Sequence, residues 1–200
     1  MERRISIKQV LVDLISILPQ ITKEFANEFK YEKLIAFLNA KDYANNDELR
    51  YPTLKQISEE TGIKALQLRK QLKEIYDSLF EYDNEFTFDF SKVEIRITAE
   101  YLKSYASFTC GKLHYLPRVG ENIVLPFLNA KVGTSHFYVD DINHGFEADK
   151  QIIELYLKGG IYNSYWRYRM HKALELGEIS LTEHYNLYEF QLKERLGLRR

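Results

Sequence analysis

YPTLKQISEETGIKALQLRKQL, residues 51–72, carries the densest local folding signals in this chain. Thr53 followed three positions later by Gln56 fits a capping box, which satisfies orphan N–H groups at a helix start. Leu54, Ile57, Ser58 and Thr61 then share one helical face, and the small Ser58 permits close approach of a second helix. Gly62 stands where the chain must take a left-handed turn, which glycine does at low cost. Ile63 pins that turn into a core, and Ala65, Leu68, Leu72 and Ile75 form the expected buried stripe of the next helix. The alternative is a plain three-helix bundle in which Gly62 merely ends a helix.

Upstream, Ile7, Val10, Leu11, Leu14, Ile15 and Leu18 fall at helical spacing and Pro19 is expected to close that helix. A second helix is expected from Thr22 to Asn39 with the stripe Phe25, Phe29, Leu34, Ile35 and Leu38, and Lys41 to Arg50 reads as a loop. Downstream the period changes to two. Phe86, Phe88 and Phe90 alternate with Thr87 and Asp89, and Val93, Ile95 and Ile97 with Glu94 and Arg96, which predicts a hairpin turning at Phe90-Ser91-Lys92. Short strands are expected at 108–115, 123–127, 137–142 and 152–157, enough for a small antiparallel barrel or rolled sheet. Helices at 162–176 and 181–196 follow. The fold class is therefore α+β: a helical domain over 1–100, then a barrel-like module with two C-terminal helices over 101–200.

The 51–72 pattern and the hairpin after it resemble the winged helix-turn-helix family of DNA-binding domains, over roughly Tyr31 to Ile97, with the helix-turn-helix itself at about 50–77. The resemblance implies that the second helix lies in the DNA major groove while the first crosses the backbone. It implies that the outward face of the second helix carries Lys64, Leu66, Gln67, Lys70 and Lys73, that Gln67 reads a base edge, as a carboxamide pairs with adenine, and that Lys64, Lys70 and Lys73 hold phosphates with Arg69 on the flank. With Lys55 on the first helix, the residues expected at DNA are Lys55, Lys64, Gln67, Arg69, Lys70 and Lys73. Residues 50–76 hold six basic side chains against three acidic ones, on a chain whose net charge is −1. Two features depart from the family. Lys64 stands where Ser or Thr often caps the second helix, and the predicted wing, residues 81–97, carries Glu81, Asp83, Glu85, Asp89 and Glu94 against Lys92 and Arg96. The later module looks broadly like an SH3-like barrel, without a specific motif.

Other constellations point to less. Arg118 in the turn before Ile123 reads as an anion ligand or, more simply, as the partner of a nearby carboxylate. Asp140, Asp141, Asn143 and His144 read as solvated strand-end residues, since adjacent strand positions face opposite ways. The five histidines form no zinc spacing, and Cys110 has no cysteine partner. His114 would stand about 13 Å from Cys110 on a strand, too far for a nucleophile pair. No phosphate loop, nucleophile elbow or carboxylate pair occurs. No cofactor, no metal and no enzymatic activity are expected. Tyr162, Tyr165, Trp166 and Met170 share a helix face with Arg167 and Arg169 beside them, which reads as packing before base stacking. The stripe Leu181, Tyr185, Tyr188 and Leu192 suits a second subunit, and Arg195, Arg199 and Arg200 make a basic tail.

The expectation is thus a cytoplasmic, bacterial-type transcriptional regulator that binds double-stranded DNA as a homodimer and uses its C-terminal module for dimerisation or a protein partner, with no membrane. The alternative is a protein-interaction or scaffold protein using a helix-turn-helix without DNA. A replication or mobile-element initiator is a third reading.

Overall fold

A computed structural model of the protein describes residues 5–43, 46, 48–81 and 86–198. It is a mixed α+β chain that divides into two units, residues 1–93 with 145–152, and residues 94–144 with 153–200.

The first unit holds α1 (Ile7–Ser16), α2 (Leu18–Phe25), α3 (Glu32–Asn39), α4 (Leu54–Thr61) and α5 (Ala65–Phe80). One apolar core joins them, built from Leu11, Leu14, Ile21, Leu34, Ile57, Leu68, Leu72 and Ile75 among others. Pro19 does not close the first helix as expected. It occupies the first turn of α2, where its missing N–H would have had no partner anyway, and the break falls at Ile17. The single helix expected over 22–39 is two. Turns at Glu28 and Tyr31 interrupt it, and Tyr31 folds back, buried, with its ring edge-on to Phe25 at 5.6 Å. Phe29, expected inside, is 90% exposed.

The predicted hairpin over 86–97 is not formed. Phe86, Phe88 and Phe90 do alternate half-buried with exposed Thr87 and Asp89, so the extended period is right, but residues 86–91 join no strand ladder. The backbone of Asp89 is taken instead by the buried side chain of Gln20, whose amide donates to Asp89 O at 2.5 Å and accepts from Asp89 N at 3.2 Å. The phenylalanines stack in a row, Phe80 on Phe88, Phe88 on Phe90, and Phe90 edge-on to Phe146. Residues 145–152 belong to this unit through further bonds. Ala148 N donates to Ser16 O at 2.7 Å, Gln20 also donates to Ala148 O at 3.1 Å, and Lys92 pairs with Asp149.

The second unit is built on β1 (Lys92–Tyr101), β2 (Ser104–Cys110), β3 (Asn122–Val124), β4 (His136–Glu147) and β5 (Lys150–Gly159). Lys92, Val93 and the strand ends that meet at the β4–β5 turn fall in the first unit. The sheet order is β2-β1-β5-β4-β3. Among the described residues no pairing closes β3 onto β2, so the sheet is open where a barrel was expected. β1 lies between β2 and β5, and its hairpin partner is β2, antiparallel, running from Ile95 opposite Cys110 to Tyr101 opposite Ser104. Its two-residue turn is Leu102-Lys103, with Leu102 at φ 56. Neither residue is a usual turn former, which hid the hairpin from the sequence. The first expected strand also ran too far, since β2 stops at Cys110. Residues 126–132, expected as strand and loop, form a 3-10 turn (Pro126–Leu128) and the short α6 (Asn129–Val132). They put Leu128 and Val132 into the core of Ile95, Ile97, Ala99, Phe137, Val139, Leu155 and Leu157.

The C-terminal part is α7 (Ser164–Glu175), α8 (Leu181–Asn186) and α9 (Glu189–Arg195), around Trp166, Ala173, Ile179 and Leu192. The helix expected over 181–196 is broken at Leu187 and Tyr188, where the Gln191 side chain accepts the Tyr188 N–H at 2.9 Å and starts α9. Of its expected stripe, Leu192 is buried while Leu181 and Tyr185 are 64% and 80% exposed. Arg199 and Arg200 lie outside the described residues.

Candidate nucleic-acid interface

The α4–α5 pair is built as its sequence dictates. Thr53 Oγ1 accepts the Gln56 N–H at 3.2 Å, and Gln56 Oε1 accepts the Thr53 N–H at 2.9 Å. Gly62 caps α4 in the left-handed conformation, φ 72 and ψ 6. Two hydroxyls tighten the turn: Ser58 Oγ donates to Ile63 O at 2.5 Å, and Thr61 Oγ1 accepts from Ile63 N at 3.3 Å. Ile57 and Ile63 are buried below the turn, and Leu68, Leu72, Ile75 and Leu79 form the inner face of α5. Ala65, expected in that stripe, is exposed, because it sits in the first turn before the helix packs. Lys64 is the N-cap of α5, and its side chain makes no capping bond.

All six residues expected at DNA are exposed. Counting about 100° per residue around the helix, Lys70 points directly away from the buried stripe and Lys73 outward about 50° off that direction, whereas Gln67 and Arg69 fall on opposite flanks. Lys55 lies on α4. Three of the cations have acidic neighbours one turn on: Lys55 with Glu59 at 3.8 Å, Lys70 with Glu74 at 3.7 Å and Lys73 with Asp77 at 3.9 Å. Such exposed pairs are each worth only about 0.3–0.5 kcal/mol, so a phosphate can displace them. Glu74 is further engaged by Lys30 at 3.6 Å and by the Tyr31 hydroxyl at 3.4 Å. Lys64, Gln67 and Arg69 have no ion pair or side-chain hydrogen bond among the described residues.

Leu66, expected on the outward face with Lys64, Gln67, Lys70 and Lys73, stands there. At 83% it is among the most exposed large apolar side chains of the chain. The available signal was spacing: Leu66 is out of step with the stripe Leu68, Leu72, Ile75 and Leu79.

The acidic residues assigned to a wing are otherwise placed. Asp89 lies in the extended 86–91 segment, held below the usual carboxylate range by hydrogen bonds from Ser91 and by the Lys23 ammonium 3.6 Å away. Glu81 follows α5 and is exposed, Glu94 lies in β1, and Asp83 and Glu85 are outside the described residues. Beside Asp89, a cavity of about 170 Å³ is lined by Pro19, Gln20, Lys23, Ser91, Lys92 and Asp149. Its charges are paired with one another, Lys23 with Asp89 and Lys92 with Asp149.

In the second unit, Asp140 is not a solvated strand-end residue. It accepts from Lys158 at 2.9 Å and Arg167 at 3.2 Å. The Arg118 backbone N–H, rather than its guanidinium, meets the Glu121 carboxylate at 3.0 Å. Among the described residues no group of three His, Cys, Asp or Glu side chains is placed to hold a metal ion, and no helix is long and apolar enough to cross a membrane. Trp166 is buried as packing required, while Tyr165 and Tyr168 stand more than 60% exposed. The chain matches no protein-family model, no curated protein and no solved structure.

Proposed function

We propose that this chain is a non-catalytic protein that binds double-stranded DNA by laying α5 in the major groove, as helix-turn-helix proteins do, most simply as a bacterial-type transcriptional regulator acting as a homodimer in the cytoplasm. The observation that carries this reading is the solvent face of α5. Directly after the Gly62 turn it offers Lys64, Gln67, Arg69, Lys70 and Lys73, all exposed, and the rigid α4–α5 packing beneath fixes their direction. Lys64, Lys70 and Lys73 would neutralise phosphates, Lys55 and Arg69 would flank them, and Gln67 would meet a base edge. The predicted wing has no part in this reading, since residues 86–91 join no strand ladder and the Gln20 side chain holds the Asp89 backbone. The exposed Tyr165, Tyr168, Leu181 and Tyr185 of the C-terminal helices support a role in dimerisation.

A second reading, a protein-interaction module, is favoured by the ion pairs that Lys55, Lys70 and Lys73 already make on the same surface.

Fluorescence anisotropy with random duplex DNA at several salt concentrations separates the two. The DNA reading expects binding that weakens with salt. In the triple variant Lys64→Ala, Lys70→Ala, Lys73→Ala the slope of log affinity against log salt should fall by about three, near 0.9 for each phosphate no longer neutralised. Absence of binding at low salt refutes the DNA reading and moves the search to protein partners.

A further inference from the structure

Resting on that DNA reading, we infer that Leu66 determines specificity by contacting the C5-methyl group of thymine, so that the preferred duplex carries an A·T pair where the first turn of α5 meets the bases. The first turn exposes three side chains without charge, Ala65, Leu66 and Gln67, with Lys64 before them and Arg69 and Lys70 after. At about 100° per residue these three fan round the turn, and Leu66 faces outward beside Lys70 and Lys73, which with Lys64 give it a cationic border. The border is complementary to a polyanion, and on a duplex the phosphates flank the groove while the uncharged base edges form its floor. Leu66 contributes nothing to the core beneath, in contrast with Leu68, Leu72 and Leu79, which are at most 3% exposed. The apolar group that a major groove presents is the thymine methyl, and the partner of a carboxamide there is adenine. Leu66 and Gln67, adjacent on one exposed turn, therefore offer the two chemistries that an A·T pair displays. Lys70, one turn on from Leu66 on the same face, would reach the neighbouring phosphates.

The full chain is first used to select from a pool of random duplexes. The enriched duplex is then rebuilt with deoxyuridine replacing one thymine at a time, which removes the methyl and leaves base pairing intact. At one position wild type should lose about fourfold in affinity, the value of one buried methyl-sized group. Leu66→Ala should bind the thymine duplex about fourfold more weakly and be indifferent to that replacement, with an unchanged salt slope. A wild type indifferent to every replacement overturns the inference, as does a Leu66→Ala variant that still senses the same methyl. Salt-dependent binding with no sequence enriched overturns it while leaving the DNA reading standing. No duplex binding at all removes both. Leu66 is exposed, so its variant retains the core, and an unchanged circular dichroism spectrum verifies this.

Discussion

Replacing Gly62 by alanine isolates the backbone cost of the turn between α4 and α5. A Cβ built on Gly62 meets no heavy atom within 4 Å, so the substitution adds no steric clash. What remains is conformational. An L-residue held at φ 72 is disfavoured by about 1–2 kcal/mol, partly offset by about 0.4–1 kcal/mol from the stiffer unfolded chain. The net loss should be about 1 kcal/mol, roughly a fivefold rise in the opening equilibrium of the α4–α5 pair. Asparagine tolerates the left-handed region better, so Gly62→Asn should cost less than Gly62→Ala. Amide hydrogen exchange followed by mass spectrometry on peptides covering residues 54–80 reads this locally. Leu68→Ala supplies the contrast, because emptying a fully buried leucine site costs about 2–5 kcal/mol. Exchange unchanged in Gly62→Ala would refute the left-handed turn. A loss as large as that of Leu68→Ala would refute the open space around it.

Two further outcomes follow from the second unit. A Cβ at Gly159 would overlap the Tyr101 ring on the neighbouring strand, so Gly159→Ala should lose about 1–3 kcal/mol by overpacking, and adding Tyr101→Ala should recover part of it; denaturant titration of the single and double variants decides. Tyr138 has its phenol pushed up to about 12, by burial first and then by the Asp140 and Glu189 carboxylates and Tyr162, with Arg167 opposing. An unfolded tyrosine ionises near 10, so the folded state binds the extra proton between those values. Its contribution to stability is complete below pH 10 and is lost as pH rises from 10 through 12. Tyrosinate absorbance should show a late-titrating group, and it should vanish in Tyr138→Phe.

The residues that fixed the α4–α5 pair act within a few positions of one another. Thr53 meets Gln56, Gly62 turns, and Leu68, Leu72 and Ile75 repeat at helical spacing, so the pair was legible. Elsewhere the deciding partner lies far along the chain or the local signal points two ways. Pro19 is as much at home in the first turn of a helix as after its end. The alternation at Phe86–Phe90 named an extended segment correctly, but its partner is the Gln20 side chain, 69 residues away. Val93–Ile97 was rightly a strand with the wrong neighbour, because Leu102-Lys103 carries no turn signature. At the candidate interface, the exposure of the six predicted residues followed from helical spacing alone. The neighbours of Lys55, Lys70 and Lys73 were also readable as pairs four apart. Tyr31 beside Glu74 was not, since it depends on how α3 meets α5.

Residues 145–152 belong to the helical unit although the chain returns to them only after building β1 to β4. This matters while the protein is being synthesised. When Val93 leaves the ribosome, Ser16 O and the Gln20 amide still lack Ala148, and Phe90 lacks Phe146. At about 5–20 residues per second the missing turn arrives on the order of several seconds later. The first unit is therefore completed by chain made well after it, and during that interval the Phe90 end of the ring row stands without the edge of Phe146.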